Sequence, residues 1–188
     1  LLTLINKFTM KRFFSFLTVV LAVVSCQTEP EGLDINVGGE QETVVTVSLP
    51  EVTRATSADS GLKNVDAAEY DLRYIFEVYD VISGNTKVIR EVKTTEVDIT
   101  SISFPVHLIA GRTYQFVVWA DFVADGTEDD LYYTTVNGLG SVAVVMDKWT
   151  ANTEARDAYT DTKTITDYNG SKQINLSLTR PFGKLRAV

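Results

Sequence analysis

The chain carries one cysteine, Cys26, and one histidine, His107, which narrows the chemistry open to it. A lone thiol closes no disulfide within the chain. A lone imidazole, with no second His and no spare Cys, builds neither a zinc ligand set nor a nucleophile–base pair. His107 lies between Val106 and Leu108 on the polar face of an alternating segment, where a surface strand residue is the simpler reading. Serines occur without a Gly-x-Ser-x-Gly elbow. Gly183-Lys184 lacks the upstream glycines of a phosphate loop. Asp125, Glu128, Asp129 and Asp130 crowd one short loop and could offer hard oxygens to Ca²⁺. They lack the alternate-residue spacing of a helix-loop-helix site, so a solvated hairpin tip is the preferred reading and calcium the alternative. Asp129 and Asp130 could serve a hydrolase working with carboxylates alone, but neighbours in an extended chain point to opposite faces. Neither catalysis, a metal nor another cofactor is expected.

Two further groups could act by binding or cleavage. Tyr132, Tyr133, Trp149 and Tyr159 could stack on a sugar, although aromatics at strand spacing more often fill a core. Arg54 sits in the polar run 51–66, rich in Thr, Ser, Ala and Asp, and its bond to Ala55 is the kind of exposed site where proteolysis concentrates. The competing reading is an ordinary loop arginine.

Cys26 is positioned by what precedes it. Lys11-Arg12 leads into residues 13–24, in which only Ser15 and Thr18 are polar, and the run ends in Val23-Val24-Ser25-Cys26. A charged start, a short apolar core and a small residue at the cut read as a secretory leader. A membrane-spanning helix needs ~20 apolar residues, more than this run supplies. An aliphatic residue, two positions ending in a small residue, then Cys resembles the lipobox of bacterial lipoproteins. That resemblance implies a diacylated Cys26 as the first mature residue, with palmitate-type chains holding the protein to the outer membrane, exposed at the cell surface. Residues 1–25 are then removed, and 1–9 read as lying upstream of a start at Met10. An ordinary leader with an incidental cysteine is the competing reading.

All 25 acidic residues follow Cys26, whereas Lys7, Lys11 and Arg12 precede it, so the formal charge of −8 becomes −11 without the leader. That excludes nucleic acid as a partner, since phosphates demand a basic face. It also excludes electrostatic adhesion to anionic lipid, leaving the membrane tie to acyl chains.

Residues 26–42, with Pro30, Gly32, Gly38 and Gly39, read as a flexible tether, and 43–188 as one domain. Val45, Val47 and Leu49 alternate with Thr46 and Ser48 and stop at Pro50, a half-buried strand. Tyr70, Leu72, Tyr74, Phe76 and Val78 share one face of the next strand. Its other face mixes Asp71, Arg73 and Glu77 with Ile75 and Tyr79. Ser83-Gly84-Asn85 turns it into 87–94 as a hairpin. Ile102, Phe104, Val106 and Leu108 form another alternating strand. In 114–123, Tyr114, Phe116, Val118, Ala120 and Phe122 share one face and Val117 and Trp119 the other, which predicts a central strand covered on both sides. Short extended pieces follow at 131–135 and 139–145. A short helix is predicted over 152–159, with Asn152 or Thr153 at its start and Glu154 in its first turn. Residues 163–166, the turn Tyr168-Asn169-Gly170-Ser171 and a strand carrying Ile174, Leu176 and Leu178 complete the pattern. Seven or more short strands with turns between them and no βαβ alternation predict an all-β antiparallel sandwich with one short helix.

A lipobox Cys, the strand 44–49 and then Thr53-Arg54-Ala55 resemble the N-terminal region of Bacteroidales fimbrillin-like lipoproteins, the type V pilus subunits and their relatives. Tyr114-Gln115-Phe116-Val117-Val118-Trp119-Ala120-Asp121, Glu154-Ala155-Arg156-Asp157-Ala158-Tyr159 and Leu178-Thr179-Arg180-Pro181-Phe182-Gly183-Lys184-Leu185 look like a domain of unknown function common in that group. The resemblance implies immunoglobulin- or transthyretin-like sandwiches of Greek-key type, usually two, so that this chain is expected to be the first of a pair cut short at Val188. It implies a structural or adhesive fimbrial subunit whose partners are other subunits or surface ligands. It also implies strand exchange: an arginine-specific protease cuts at the position matched by Arg54, the strand before it leaves, and a neighbouring subunit's extended segment fills the groove. Val45, Val47 and Leu49 have the spacing to fill alternate pockets there. A surface lipoprotein that captures glycans for nutrition is the alternative.

Overall fold

A computed structural model describes residues 39–50, 65–148 and 153–182. Nine strands follow in chain order among them: β1 (Glu40–Ser48), β2 (Tyr70–Asp80), β3 (Thr86–Thr95), β4 (Ser101–Ile109), β5 (Tyr114–Ala124), β6 (Tyr133–Thr134), β7 (Ala143–Val144), β8 (Ala158–Ile165) and β9 (Gln173–Ser177). They form a three-stranded sheet, β4-β1-β9, and a four-stranded sheet, β3-β2-β5-β8, with β6 and β7 as a small separate ribbon. The architecture is the expected all-β sandwich.

Period-2 alternation explains the packing, because every second side chain of a strand faces the opposite sheet. Val45 and Val47 of β1, Phe104, Val106 and Leu108 of β4, and Ile174 and Leu176 of β9 are buried against Leu72, Tyr74, Phe76 and Val78 of β2 and Phe116, Val118 and Phe122 of β5. The Phe76 ring stacks on Phe104 at 4.8 Å across the two sheets. The β2–β3 hairpin closes at Gly84 (φ 78°) and Asn85 (φ 58°), left-handed conformations that Gly and Asn tolerate.

Two features depart from expectation. One pairing is parallel: β1 runs alongside β9 from Val44↔Gln173 to Ser48↔Ser177, while every other ladder is antiparallel. The predicted helix is reduced to a single 3-10 turn, Glu154–Arg156, one of three such turns among the described residues. Asp157 is already extended, and Ala158 and Tyr159 enter β8 opposite Asp121 and Ala120. A two-turn helix is marginal alone, whereas the β5 ladder satisfies the same backbone groups and buries Ala158 and Tyr159.

Candidate functional site: the β1 slot and the covered outer face

β1 is the middle strand of its sheet, not an edge. It pairs with β4 from Glu40↔Ile109 to Ser48↔Ser101 and with β9 on its other side. Leu49 N–H donates to Thr100 O at 2.8 Å, and Ser48 O accepts from Leu178 N–H at 2.8 Å. Val45 and Val47 are fully buried and Leu49 nearly so, so the three residues spaced for pockets do share the inward face. That face begins one step earlier, with Thr43, which is 0% exposed. The Thr43 hydroxyl donates to Ser171 O at 2.9 Å and shares a short hydrogen bond with the Tyr168 hydroxyl, which also lies 2.8 Å from Ser171 O. The turn behind it is anchored by Tyr168 N–H to Arg112 O (2.8 Å) and Gly111 N–H to Tyr168 O (2.7 Å). Gly170 adopts φ +81°, a left-handed conformation that favours glycine, and packs against the end of the Gln41 side chain. The phase of Val45, Val47 and Leu49 already pointed to Thr43, which pattern reading passed over as polar.

The outer face of β2 and β5 carries a buried charged network. Arg73 and Asp121 stand opposite each other in the β2–β5 ladder. Arg73 donates from Nε to Asp121 Oδ1 at 2.9 Å and from Nη2 to Oδ2 at 2.7 Å, with side chains 2% and 1% exposed. Its Nη1 donates to Glu128 O at 2.7 Å and Asp130 Oδ1 at 2.9 Å. Asp130 in turn accepts from Thr135 N–H and Oγ1–H, each at 2.7 Å. Four residues along the same face of the strand, Glu77 is wholly buried and accepts from Lys87 Nζ (3.1 Å), Leu139 N–H (3.0 Å), the Tyr79 hydroxyl and the Arg90 guanidinium, which also reaches Thr135 O. Trp119 packs edge-on to Tyr133 at 5.1 Å. Segment 125–148 is thus tied over the sheet by charge, which accounts for polar and apolar residues sharing that face. The pairing of charges with Ile75, Val117 and Trp119 on one face was the signal for such a cover, and which loop supplied it was not readable.

Burial pulls the Arg73 guanidinium down, but hydrogen bonds and charge from Asp121 and then Asp130 hold it above its ordinary value. Burial pushes the Asp121 carboxyl up against the pull of Arg73. For Glu77, burial raises the carboxyl, but Tyr79, Leu139 N–H, Arg90 and Lys87 together take it below the ordinary range. Asp130 is lowered likewise, burial being outweighed by Thr135 and Arg73. The lowered pair stabilises the fold fully above ordinary carboxylate values near ~4, and this is lost as pH falls through the lowered values. Asp121, shifted upward, offsets part of the loss. In a Trp149→Phe background, Trp119 emission is therefore expected to shift red below about pH 4 while the circular dichroism of the sheets persists. A Trp119 signal that moves only with the sheets would refute this.

The acidic loop does not converge on an empty centre. Asp125, Glu128 and Asp129 are exposed, and Asp130 turns to Arg73. Among the described residues no three His, Cys, Asp or Glu side chains gather where a metal could sit. The cation this loop holds is a guanidinium. The proposed sugar platform is likewise not assembled: Tyr132, Tyr133 and Tyr159 are 9%, 3% and 3% exposed. Their rings pack inward because a covered sheet has two apolar faces to fill. His107 is exposed on edge strand β4, opposite Glu42. Cys26, Arg54, Ala55 and Trp149 lie outside the described residues. Among those described, no helix is long and apolar enough to cross a membrane.

No curated protein matches the chain. Similar solved structures include a fimbrial assembly protein from Parabacteroides distasonis ATCC 8503, at 10% identity and TM-score 0.40, with 76% of this chain and 54% of that one covered. A DUF1812 protein from Bacteroides thetaiotaomicron VPI-5482, put forward as polysaccharide-binding, is 14% identical at TM-score 0.38, with 73% and 47% covered. The chain thus spans about half the length of each. Its own family is met over residues 35–188, where it matches the family of unknown function DUF6562, and the chain belongs to that family.

Proposed function

We propose that this protein is a structural, adhesive subunit of fimbrial type at the bacterial cell surface, anchored through lipid on Cys26 in the outer membrane and assembled by strand exchange at β1 after cleavage of the Arg54–Ala55 bond. The observation that carries the reading is the place of β1 between β4 and β9 with its alternate side chains fully buried. A departing edge strand would leave one bare edge. A departing middle strand leaves two facing rows of unpaired N–H and C=O groups above apolar pockets, and one extended segment from another subunit satisfies both. The fimbrillin resemblance at Thr53-Arg54-Ala55 supports a cut in the run that follows this strand.

Capture of glycans is the second reading, and one feature favours it. Phe182 is 55% exposed, its ring stacked parallel to Tyr133 at 6.2 Å, and Arg180, two residues earlier in the chain, is paired with Asp157. An exposed ring is the kind of surface on which a sugar stacks.

Mass spectrometry of the N-terminus of polymerised protein from its own cells separates the two readings. A start at Ala55 is expected for strand exchange, and an Arg54→Ala chain is expected to stay lipid-bound outside polymers. Polymers built of chains that all begin at acylated Cys26 would sink the cleavage model.

A further inference from the structure

We infer that the β1 slot is selective for a hydroxyl, so that the segment replacing β1 must carry Ser or Thr at the position of Thr43, two residues ahead of its first aliphatic anchor. This rests on the strand-exchange reading and names the partner's chemistry: a hydroxyl residue, then aliphatics at the second, fourth and sixth positions after it.

Three of the four inward positions of β1 are ordinary apolar pockets. The fourth is different. Thr43 is 0% exposed, and its surroundings are the Tyr168 hydroxyl, on a residue 1% exposed, and the carbonyl of Ser171. A valine at this position has the same shape as threonine but can neither donate to Ser171 O nor face the phenolic oxygen. Ser171 O keeps the Tyr168 hydroxyl, so the wrong segment alone forfeits one buried hydrogen bond and the contact with the phenolic oxygen. The pocket is held where it is by its turn, pinned by Tyr168 N–H to Arg112 O and by Gly111 N–H to Tyr168 O. The chain itself supplies a contrasting case. Ile174, Leu176 and Leu178 repeat the apolar alternation of β1, but the residue two before Ile174 is Lys172. A β9-like segment would put a long charged side chain on the hydroxyl pocket and be rejected.

The test uses the full chain nicked after Arg54, with synthetic peptides of sequence 40–50 competing with resident β1 for the slot. The peptides carry Thr, Ser or Val at position 43. The Thr and Ser peptides are expected to displace β1, the Val peptide about 10-fold less well, and a Tyr168→Phe chain to lose much of that preference. Equal binding of Thr and Val peptides would overturn the hydroxyl rule while leaving strand exchange standing. Displacement by no peptide would overturn strand exchange at β1 and, with it, the partner rule. The pocket is then read separately in the uncut chain by comparing Thr43→Val, Tyr168→Phe and the double variant in urea. Non-additive changes of about 5-fold or more in the unfolding constant are expected. Additive ones would remove the hydroxyl pairing altogether.

Discussion

A chain carrying Arg73→Met is expected to lose about 3–5 kcal/mol of stability, measured by urea denaturation. The size follows from what the substitution leaves behind. Asp121 is 1% exposed and takes both its strong hydrogen bonds from Arg73, so removing the guanidinium strands a carboxylate in a dry interior. That penalty exceeds the net value of the intact pair, whose attraction is largely spent on desolvating two ions. Replacing both partners with apolar residues of similar volume, Arg73→Met with Asp121→Leu, is therefore expected to recover more than half of the loss. It should not recover everything, because Glu128 O also loses a donor and Asp130 is left with Thr135 alone. A double variant no more stable than the single would show that the pair is not the unit of stability.

The second large effect concerns β1. A chain that begins at Ala55 is expected to show no cooperative unfolding transition alone and to regain one when a peptide of sequence 40–50 is added. Val45, Val47 and Leu49 contribute about 1.5–3 kcal/mol each by burial, and the ladders to β4 and β9 are lost with them. The sum is comparable to the whole net stability of a small domain, about 5–15 kcal/mol. Midpoints for the complemented chain should rise with peptide concentration, as mass action requires. A chain from Ala55 that melts cooperatively, at a midpoint indifferent to the peptide, would mean that β1 is dispensable and the exchange model has no driving force.

Much of this was legible before any coordinates. Alternation in 45–49, 70–78, 102–108 and 114–122 is a local signal, and each of those segments is a strand with its apolar phase inward. The dual apolar faces of 114–123 announced a covered central strand, and β5 does lie between β2 and β8 with Trp119 and Val123 buried on its outer side. What could not be read was the pairing between distant segments. Glu154 and Ala155 have good helix chemistry, yet Ala158 and Tyr159 answer to β5 instead. Thr43 opens the domain with no sign of a partner until Tyr168 is placed behind it, and Asp130 could stand among calcium ligands until Arg73 is placed beneath it. Arg73 and Glu77 could be placed on a mixed face with Ile75 and Tyr79, but a charge gives no hint of being buried until its partner is known.

The parallel pairing of β1 with β9 also sets a timetable. Val45 lies between Phe104 and Ile174, so the strand nearest the start of the domain waits for one near its end before its second side is covered. Contacts so distant along the chain pay loop-closure entropy before they return anything, which places such topologies among slow folders, in the range of about milliseconds to seconds. Throughout that interval β1 has only β4 to hold it, and one whole flank is open to any extended segment nearby. A molecule caught in that interval presents a half-closed sheet, and copies must be kept apart until β9 docks.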